Sequence, residues 1–376
     1  MKTLQSLCPS GPDWTLDWSA IDQEYEWVRA LRGCDQDPLW HAEGNVWVHT
    51  RMVLEELAGS TDWRALPDDD RLAVFSACLL HDVEKPSTTR TESDGRITAR
   101  NHSKKGAIRA RQILWRLGVP FSMRELVCNM VLHHQVPFFL TDRDDPERLA
   151  SRISWTSRCD LLSLVTEADG RGRKCQDQGA LLDNIELFRV FCAELNCLDR
   201  PRDFASDTHR VEYFQNANRQ ADSPAPNSHS CEVTLMSGLP GSGKDHWIRQ
   251  NFPDHPAVCP DEVRRELGAS PTGNQGAVIQ SCRESARVHL RAGRDFVWNA
   301  TNLSLTLRSQ VLDLFRQYGA RIRIVYVETD PTQWADRNRS RAEPIPTRSL
   351  ERMLSRWQVP DPTEAHEVQY AVPEAI

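Results

Sequence analysis

No stretch of the 376-residue sequence is apolar for long enough to cross a membrane, and its first residues lack the basic-then-apolar layout of a secretory leader. The expectation is a cytoplasmic protein without a membrane partner. Positive charge is also in short supply. A net charge of −7 argues against a broad electrostatic footprint on nucleic acid, while leaving room for local contacts to one strand end. The 11 cysteines contain no C-x-x-C pair, which points to reduced, mostly buried thiols in an intracellular protein. No segment repeats, and the 12 tryptophans are spaced too irregularly to mark repeats, so they read as packing residues. What is present is a soluble, globular composition, 39% hydrophobic and 26% charged, in a chain too long for one ordinary core. Two domains follow as the default.

The patterning places the division. Residues 1 to about 40 carry Trp14, Trp18, Ile21, Trp27, Val28 and Leu31 partly at helical spacing, as a lead-in packed onto the first domain. Helical periods recur at Met52–Leu57, Arg71–Leu80, from Asn101-His102-Ser103 onward, at Glu125–His134 and at Ile153–Asp169. Between residues 41 and 200 there is almost no strand period, and Pro86, Ser93, Asp94 and Gly95 read as a loop. An all-α first domain over 1–215 is therefore expected. A polar segment with two prolines, 216–231, reads as a linker. After it, strands expected at Glu232–Ser237, Asp295–Asn299 and Arg321–Glu328 alternate with helices, the pattern of a parallel α/β domain over 232–376.

Chemistry-bearing residues fall in both halves. In the first, His49, the adjacent pair His81-Asp82, His102, His133 and Asp169 lie on successive helical segments. Imidazole and carboxylate together suit a first-row transition metal (Mn, Co, Ni, Cu or Zn), and a neighbouring His-Asp pair lets both groups approach one ion. In the second, the apolar run Val233–Ser237 leads into Gly238-Leu239-Pro240-Gly241-Ser242-Gly243-Lys244-Asp245, which fits G-x-x-x-x-G-K. Such a loop closes backbone N–H groups around phosphate oxygens, with Lys244 reaching the outer phosphates and the following helix N-terminus adding its dipole. It calls for an NTP, ATP foremost, with Mg²⁺. Asp245 stands where Ser or Thr normally meets Mg²⁺. Asp261 and Arg264 share a helix face, so the carboxylate can take a proton from an attacking hydroxyl. Asn299, Thr301 and Asn302 end a strand, where α/β sites form. Arg337, Arg339 and Arg341 make a basic segment suited to closing over phosphates.

The order of histidines and aspartates resembles the HD phosphohydrolases, over roughly residues 35 to 175. Trp40-His41-Ala-Glu-Gly…His49-Thr and Glu167-Ala-Asp169-Gly-Arg171-Gly-Arg173 are similar to the HD domain attached to some bacterial tRNA nucleotidyltransferases. The resemblance implies metal ligation by His49, His81, Asp82 and Asp169, with His102 and His133 serving a second metal or the scissile phosphate. His134 is an alternative to His133, and Arg171 and Arg173 are candidates for phosphate. Residues 231–360 resemble the kinase module of phage and bacterial polynucleotide 5′-kinases. That implies Asp261 as general base, Arg264 as a contact to the 3′-side phosphate, and Arg337 and Arg341 as lid arginines. Asp245 for Ser/Thr and Asn299 for an expected Asp depart from that pattern, so Mg²⁺ is expected to engage Asp245 directly or through water.

The fusion itself resembles a bacterial RNA end-healing type. Its expected activities are 5′-hydroxyl phosphorylation, and opening of a 2′,3′-cyclic phosphate followed by removal of the 3′-phosphate. Sealing would fall to a separate RNA ligase. Two other readings stay open at the level of sequence: a nucleoside or metabolite kinase fused to an HD nucleotidase, and a non-catalytic nucleotide-sensing regulator.

Overall fold

A computed structural model describes residues 4–270, 273–341 and 343–373. Ala342, inside the basic segment after Arg341, lies outside the described residues. The chain divides into two compact units, Met1–Asp203 and Phe204–Ile376.

The first unit is a helical bundle. Helices α1 (Leu4–Leu7), α2 (Trp18–Glu24), α3 (Glu26–Arg32), α4 (Val46–Gly59), α5 (Thr61–Arg64), α6 (Asp68–Leu80) and α7 (Lys85–Thr88) precede a short hairpin, β1 (Thr89–Thr91) with β2 (Ile97–Ala99). Then come α8 (His102–Arg116), α9 (Phe121–His133), α10 (Pro146–Thr156), α11 (Cys159–Arg171) and α12 (Gln178–Glu194). Helix α6 is buried all round from Ala73 to Leu80, the mark of a central helix, and packs on α4, α9 and α11. Helix α4 starts at Asn45, whose side chain accepts from the Val48 amide at 3.0 Å, a cap worth about 1 kcal/mol. Its buried stripe, Val46, Thr50, Val53, Leu54 and Leu57, carries His49 inward with it.

Two expectations need correction here. The loop expected over Pro86, Ser93, Asp94 and Gly95 holds more regular structure: Pro86 lies in α7, and Ser93–Gly95 turn an antiparallel hairpin with Thr89 opposite Ala99 and Thr91 opposite Ile97. β-Branched residues on both arms favour it, and the Ile97 amide donates to Asp37 Oδ2 at 3.1 Å. The single helix expected over Ile153–Asp169 is two, broken where Ser157 turns extended (φ −151°, ψ −175°).

The second unit opens with α13 (Asp207–Gln215), followed by β3 (Glu232–Ser237), α14 (Lys244–Asn251), β4 (Ala257–Val258), α15 (Pro260–Glu266) and α16 (Gly276–Arg291). It continues through β5 (Phe296–Asn299), α17 (Leu305–Gln317), β6 (Arg321–Val327), α18 (Pro331–Arg339), α19 (Thr347–Leu354) and β7 (Glu367–Ala371). The five strands form one parallel sheet in the order β4-β5-β3-β6-β7. Central β3 is buried from Val233 to Ser237, as a strand covered on both faces must be. The sheet strands β4 and β7 are additions to those expected, both being too short or too polar to show a period.

The expected boundary at residue 215 shifts. Helix α13 belongs to the second unit, because Arg210 donates to the carbonyls of Pro362, Ala365 and His366, and Gln215 to that of Thr363. The stretch 216–231 contains no helix or strand, but it lies within the second unit.

Candidate functional site

In the first unit, the ends of helices bring a histidine cluster together. His81 follows the last residue of α6, His134 follows α9, His102 opens α8, and His49 and Asp169 sit inside α4 and α11. All five are buried, as is Asp82. Three rings direct Nδ1 at a backbone carbonyl: His81 at Cys78 (2.7 Å), His102 at Ala99 (2.7 Å) and His134 at Val131 (2.8 Å). His49 Nδ1 lies 3.0 Å from Glu43 Oε1 and 3.3 Å from the Gly172 carbonyl. In the three rings bonded to carbonyls, Nδ1 donates its proton outward and Nε2 presents a lone pair inward, while against burial Asp169 and Glu43 raise the pKa of the His49 ring, which stands between those two carboxylates. Gly172 permits this approach to α4, since a Cβ there would fall 2.8 Å from the Val53 amide nitrogen.

The inward atoms crowd. His49 Nε2 is 3.0 Å from Asp169 Oδ1 and 3.3 Å from His81 Nε2, and His102 Nε2 is 3.4 Å from His134 Nε2. Asp82 lies between, with Oδ2 3.1 Å from His81 Nε2 and Oδ1 3.5 Å from His102 Nε2. Neither Asp82 oxygen receives a hydrogen bond, although Lys85 Nζ stands 2.8 Å from Oδ2 as an ion pair. Imidazole lone pairs packed this closely around a buried carboxylate whose Oδ1 has no hydrogen-bond partner are unfavourable unless a metal cation takes them up. The donors fall into His49/His81/Asp82 and Asp82/His102/His134, sharing Asp82. This nitrogen-and-oxygen set fits a first-row transition metal.

Surrounding charges agree. Burial alone would raise the Asp82 carboxyl, yet His81 and Lys85 hold it well below the usual carboxylate range. Burial likewise opposes ionisation of Asp169, and Arg173 with His49 overcomes it. Arg173 grips Asp169 bidentately, at 2.9 and 2.7 Å. His134 is driven by burial down to about 3, which leaves it neutral.

His134, and not His133, is the second-group histidine. His133 ends α9 half-buried and is absent from both donor groups. Arg171 turns to Glu167 on the surface, while Arg173 lines the cleft. Sequence reasoning did not single out Lys85 or Glu43. The Asp82-to-Lys85 spacing at a helix end was the available signal for one, and Glu43 is identified only through its ring contacts. A cleft of about 550 Å³ opens over the cluster, lined by Trp40, His41, Lys85, His102, Phe139 and Arg173 among others. That size suits a nucleotide-scale ligand.

In the second unit, the loop Gly238–Gly243 joins β3 to α14. Gly238 is obligatory: its φ is +143°, and a Cβ would lie 2.2 Å from the Val327 carbonyl oxygen. Lys244 folds back over the loop and donates to the carbonyls of Gly238 (3.0 Å) and Leu239 (2.9 Å). Loss of solvent around its ammonium pushes its pKa down to about 8, against the pull of Asp245 and Asp261. From α18, Trp334 Nε1 donates to the Pro240 carbonyl (2.9 Å), and Arg337 to those of Gly241 (3.2 Å) and Ser242 (3.3 Å). Arg337 is thus at the phosphate loop. Arg341 is exposed beyond the helix end, and Arg339 pairs outward with Asp336.

Asp261, in the first turn of α15, pairs with Arg264, which Gln275 Oε1 also holds at 2.9 Å. Asn299 Nδ2 reaches Asp245 Oδ1 at 2.7 Å, so the two departures from the kinase pattern touch. Asn302 instead serves the fold, donating to the Met236 carbonyl at 2.7 Å.

Comparisons follow this geometry. Residues 45–166 match the HD domain and residues 233–360 match an AAA domain family. A multifunctional CCA protein of Xanthomonas campestris pv. campestris is 32% identical over 213 residues, covering 55% of this chain and 49% of the relative. Its namesake in Psychromonas ingrahamii is 27% identical over 168 residues, covering 42% of this chain and 37% of the relative. The chain thus spans about half or less of the length of these curated relatives. A solved kinase candidate from Chloroflexus aurantiacus aligns over 39% of this chain and 87% of its own, at 12% identity and a TM-score of 0.33. A sugar kinase from Janibacter aligns over 38% and 85%, at 17% identity and a TM-score of 0.29.

Proposed function

We propose, from a chain that joins an HD domain to a P-loop kinase-like domain, that this protein heals RNA ends. One half phosphorylates a 5′-hydroxyl from ATP with Mg²⁺, and the other opens a 2′,3′-cyclic phosphate and removes the 3′-phosphate. The observation that carries the polynucleotide reading is the Asp261 carboxylate, whose side chain is 80% exposed beside the Lys244 loop. A general base open to solvent suits the terminal hydroxyl of a long chain, whereas a small acceptor is usually enclosed.

In the kinase half, loop amides and Lys244 hold the NTP phosphates, and Arg337 sits ready at the same loop. Asp261 takes the proton of the attacking 5′-oxygen while Arg264 fixes its carboxylate and meets the neighbouring phosphate. Asp245, held by Asn299, would bind Mg²⁺ directly or through water.

In the HD half, His49, His81, Asp82 and Asp169 would hold one transition-metal ion, and Asp82, His102 and His134 a second. A bound ion of this kind supplies Lewis acidity at a phosphate and acidifies water beside it. Lys85 and Arg173 offset phosphate charge at the floor of the cleft, and the outward Nδ1–H bonds keep the His81, His102 and His134 rings in their ligating tautomer.

Phosphate transfer from labelled ATP to a 5′-hydroxyl oligoribonucleotide, run beside a free nucleoside, tests the reading. Transfer to the oligonucleotide is expected. Transfer to the nucleoside alone would identify a small-molecule kinase, and transfer to neither a non-catalytic sensor.

A further inference from the structure

Three of the 11 cysteines converge in the first unit, away from the histidines. Cys159 is the first residue of α11, Cys192 lies in the last turn of α12, and Cys197 follows in the turn beyond it. All are fully buried and unoxidised, and their Sγ atoms lie within 4.8 Å of one another. The convergence is built by tertiary structure. The Cys197 amide donates to the Cys192 carbonyl at 2.8 Å, shaping the turn, and the Asp160 amide donates to the Leu198 carbonyl at 2.8 Å, fastening the start of α11 to it.

We propose that Cys159, Cys192 and Cys197 form a thiolate site for a divalent, thiophilic cation, Zn²⁺ foremost, distinct from the HD centre. Tetrahedral Zn–S bonds of about 2.3 Å place sulfur atoms about 3.8 Å apart, within the span these three already occupy. The Ser154 hydroxyl, beside Cys197, donates its proton to the Ser151 carbonyl at 2.7 Å, which leaves its oxygen as a neutral fourth donor. Each ligating thiol releases its proton to solvent, so three thiolates and one divalent cation leave a single negative charge. Arg202 lies beside the site, its amide donating to Ser154 Oγ at 3.0 Å and its guanidinium to Ser151 Oγ at 3.0 Å and to Glu147 Oε1 at 2.7 Å. Cys159 and Asp169 mark opposite ends of α11, about 15 Å apart along the helix. The ion would therefore pin the far end of the helix that carries Asp169.

The test uses sulfur's own spectrum. The reduced full-length protein, stripped of metal, is titrated with Co²⁺ or Cd²⁺ and read for the near-ultraviolet thiolate-to-metal charge-transfer band, which histidine and carboxylate ligands do not give. The expected result is one equivalent of metal giving the band, undiminished in His134→Ala and lost in Cys192→Ala and in the nearly isosteric Cys159→Ser. Circular dichroism checks that these variants fold. Absence of the band in the wild-type protein at metal saturation overturns the proposal without recourse to any variant. So does a count of fewer than 11 titratable thiols in the unreduced, denatured protein with the band missing, which would identify a disulfide instead.

Discussion

Asn299 donates its side-chain amide to Asp245 Oδ1 at 2.7 Å. A neutral amide and a carboxylate thus replace the hydroxyl and carboxylate expected at these positions, and the charge has moved from strand end to helix start. Asp245→Ala is expected to raise the Mg²⁺ concentration needed for half-maximal kinase activity by roughly tenfold, with Asp245→Thr keeping part of the function. Asn299→Ala, which only releases the carboxylate, should shift the midpoint less. Titrating Mg²⁺ against rate decides it. An unchanged midpoint in Asp245→Ala would leave Asp245 as a helix-start residue worth roughly 0.3–1 kcal/mol.

The two activities should separate. Lys244→Ala or Asp261→Ala is expected to abolish 5′ phosphorylation and spare 3′-phosphate removal, and Asp82→Ala to do the reverse. Both reactions are measured on one oligonucleotide. Loss of both in a folded Lys244→Ala protein would count against independent halves.

His134→Ala should lower 3′-end activity and metal content by roughly 10–100-fold, while His133→Ala stays near wild type. Metal analysis alongside rate makes the comparison. An equal loss in both variants would contradict the placement of His134.

Removing transition metals should silence the HD half and leave a Mg²⁺-supported kinase. Mn²⁺, Co²⁺, Ni²⁺, Cu²⁺ or Zn²⁺ should restore it, because imidazole ligands favour these ions over Mg²⁺. Persistent 3′ activity in Mg²⁺ alone would defeat the assignment.

Glu125 is shared by Arg111 and Arg124 at distances of 2.7–3.0 Å. Burial would raise its pKa, but the two guanidiniums lower it. Its folded pKa therefore lies below the unfolded one, so its stabilisation is complete above the unfolded value of about 4.5 and is lost as pH falls through the folded one. Glu125→Gln should cost roughly 3 kcal/mol near neutral pH, read as a fall in Tm, with a smaller difference in acid.

Much of this was legible in the residues. The glycine loop announced itself because its spacing is fixed by the backbone it must build, and the sheet strands at 232–237 and 321–327 carried dense β-branched runs. His49, His81, Asp82 and Asp169 stood out because they fall in order on successive helical segments, with His81 and Asp82 adjacent, as in the HD phosphohydrolases. His134 was not separable from His133, since adjacent residues at a helix terminus differ by a rotation that only the neighbouring helices fix. Lys85 was silent for a related reason: a lysine beyond a helix end looks solvated until Asp82 and Gln36 are seen to enclose it. Strands β4 and β7 take their place from the strands beside them, β5 and β6, and their own residues say little.

The carbonyls that Arg210 gathers have a practical consequence for anyone separating or exchanging the halves. The polar, proline-bearing stretch at 216–231 invites the cut, yet a piece beginning there would lose the helix that fastens the approach to the last strand. The seam lies earlier, between Asp203 and Phe204. A transplanted kinase half should carry that short helix along with it, as a door is moved with its hinge.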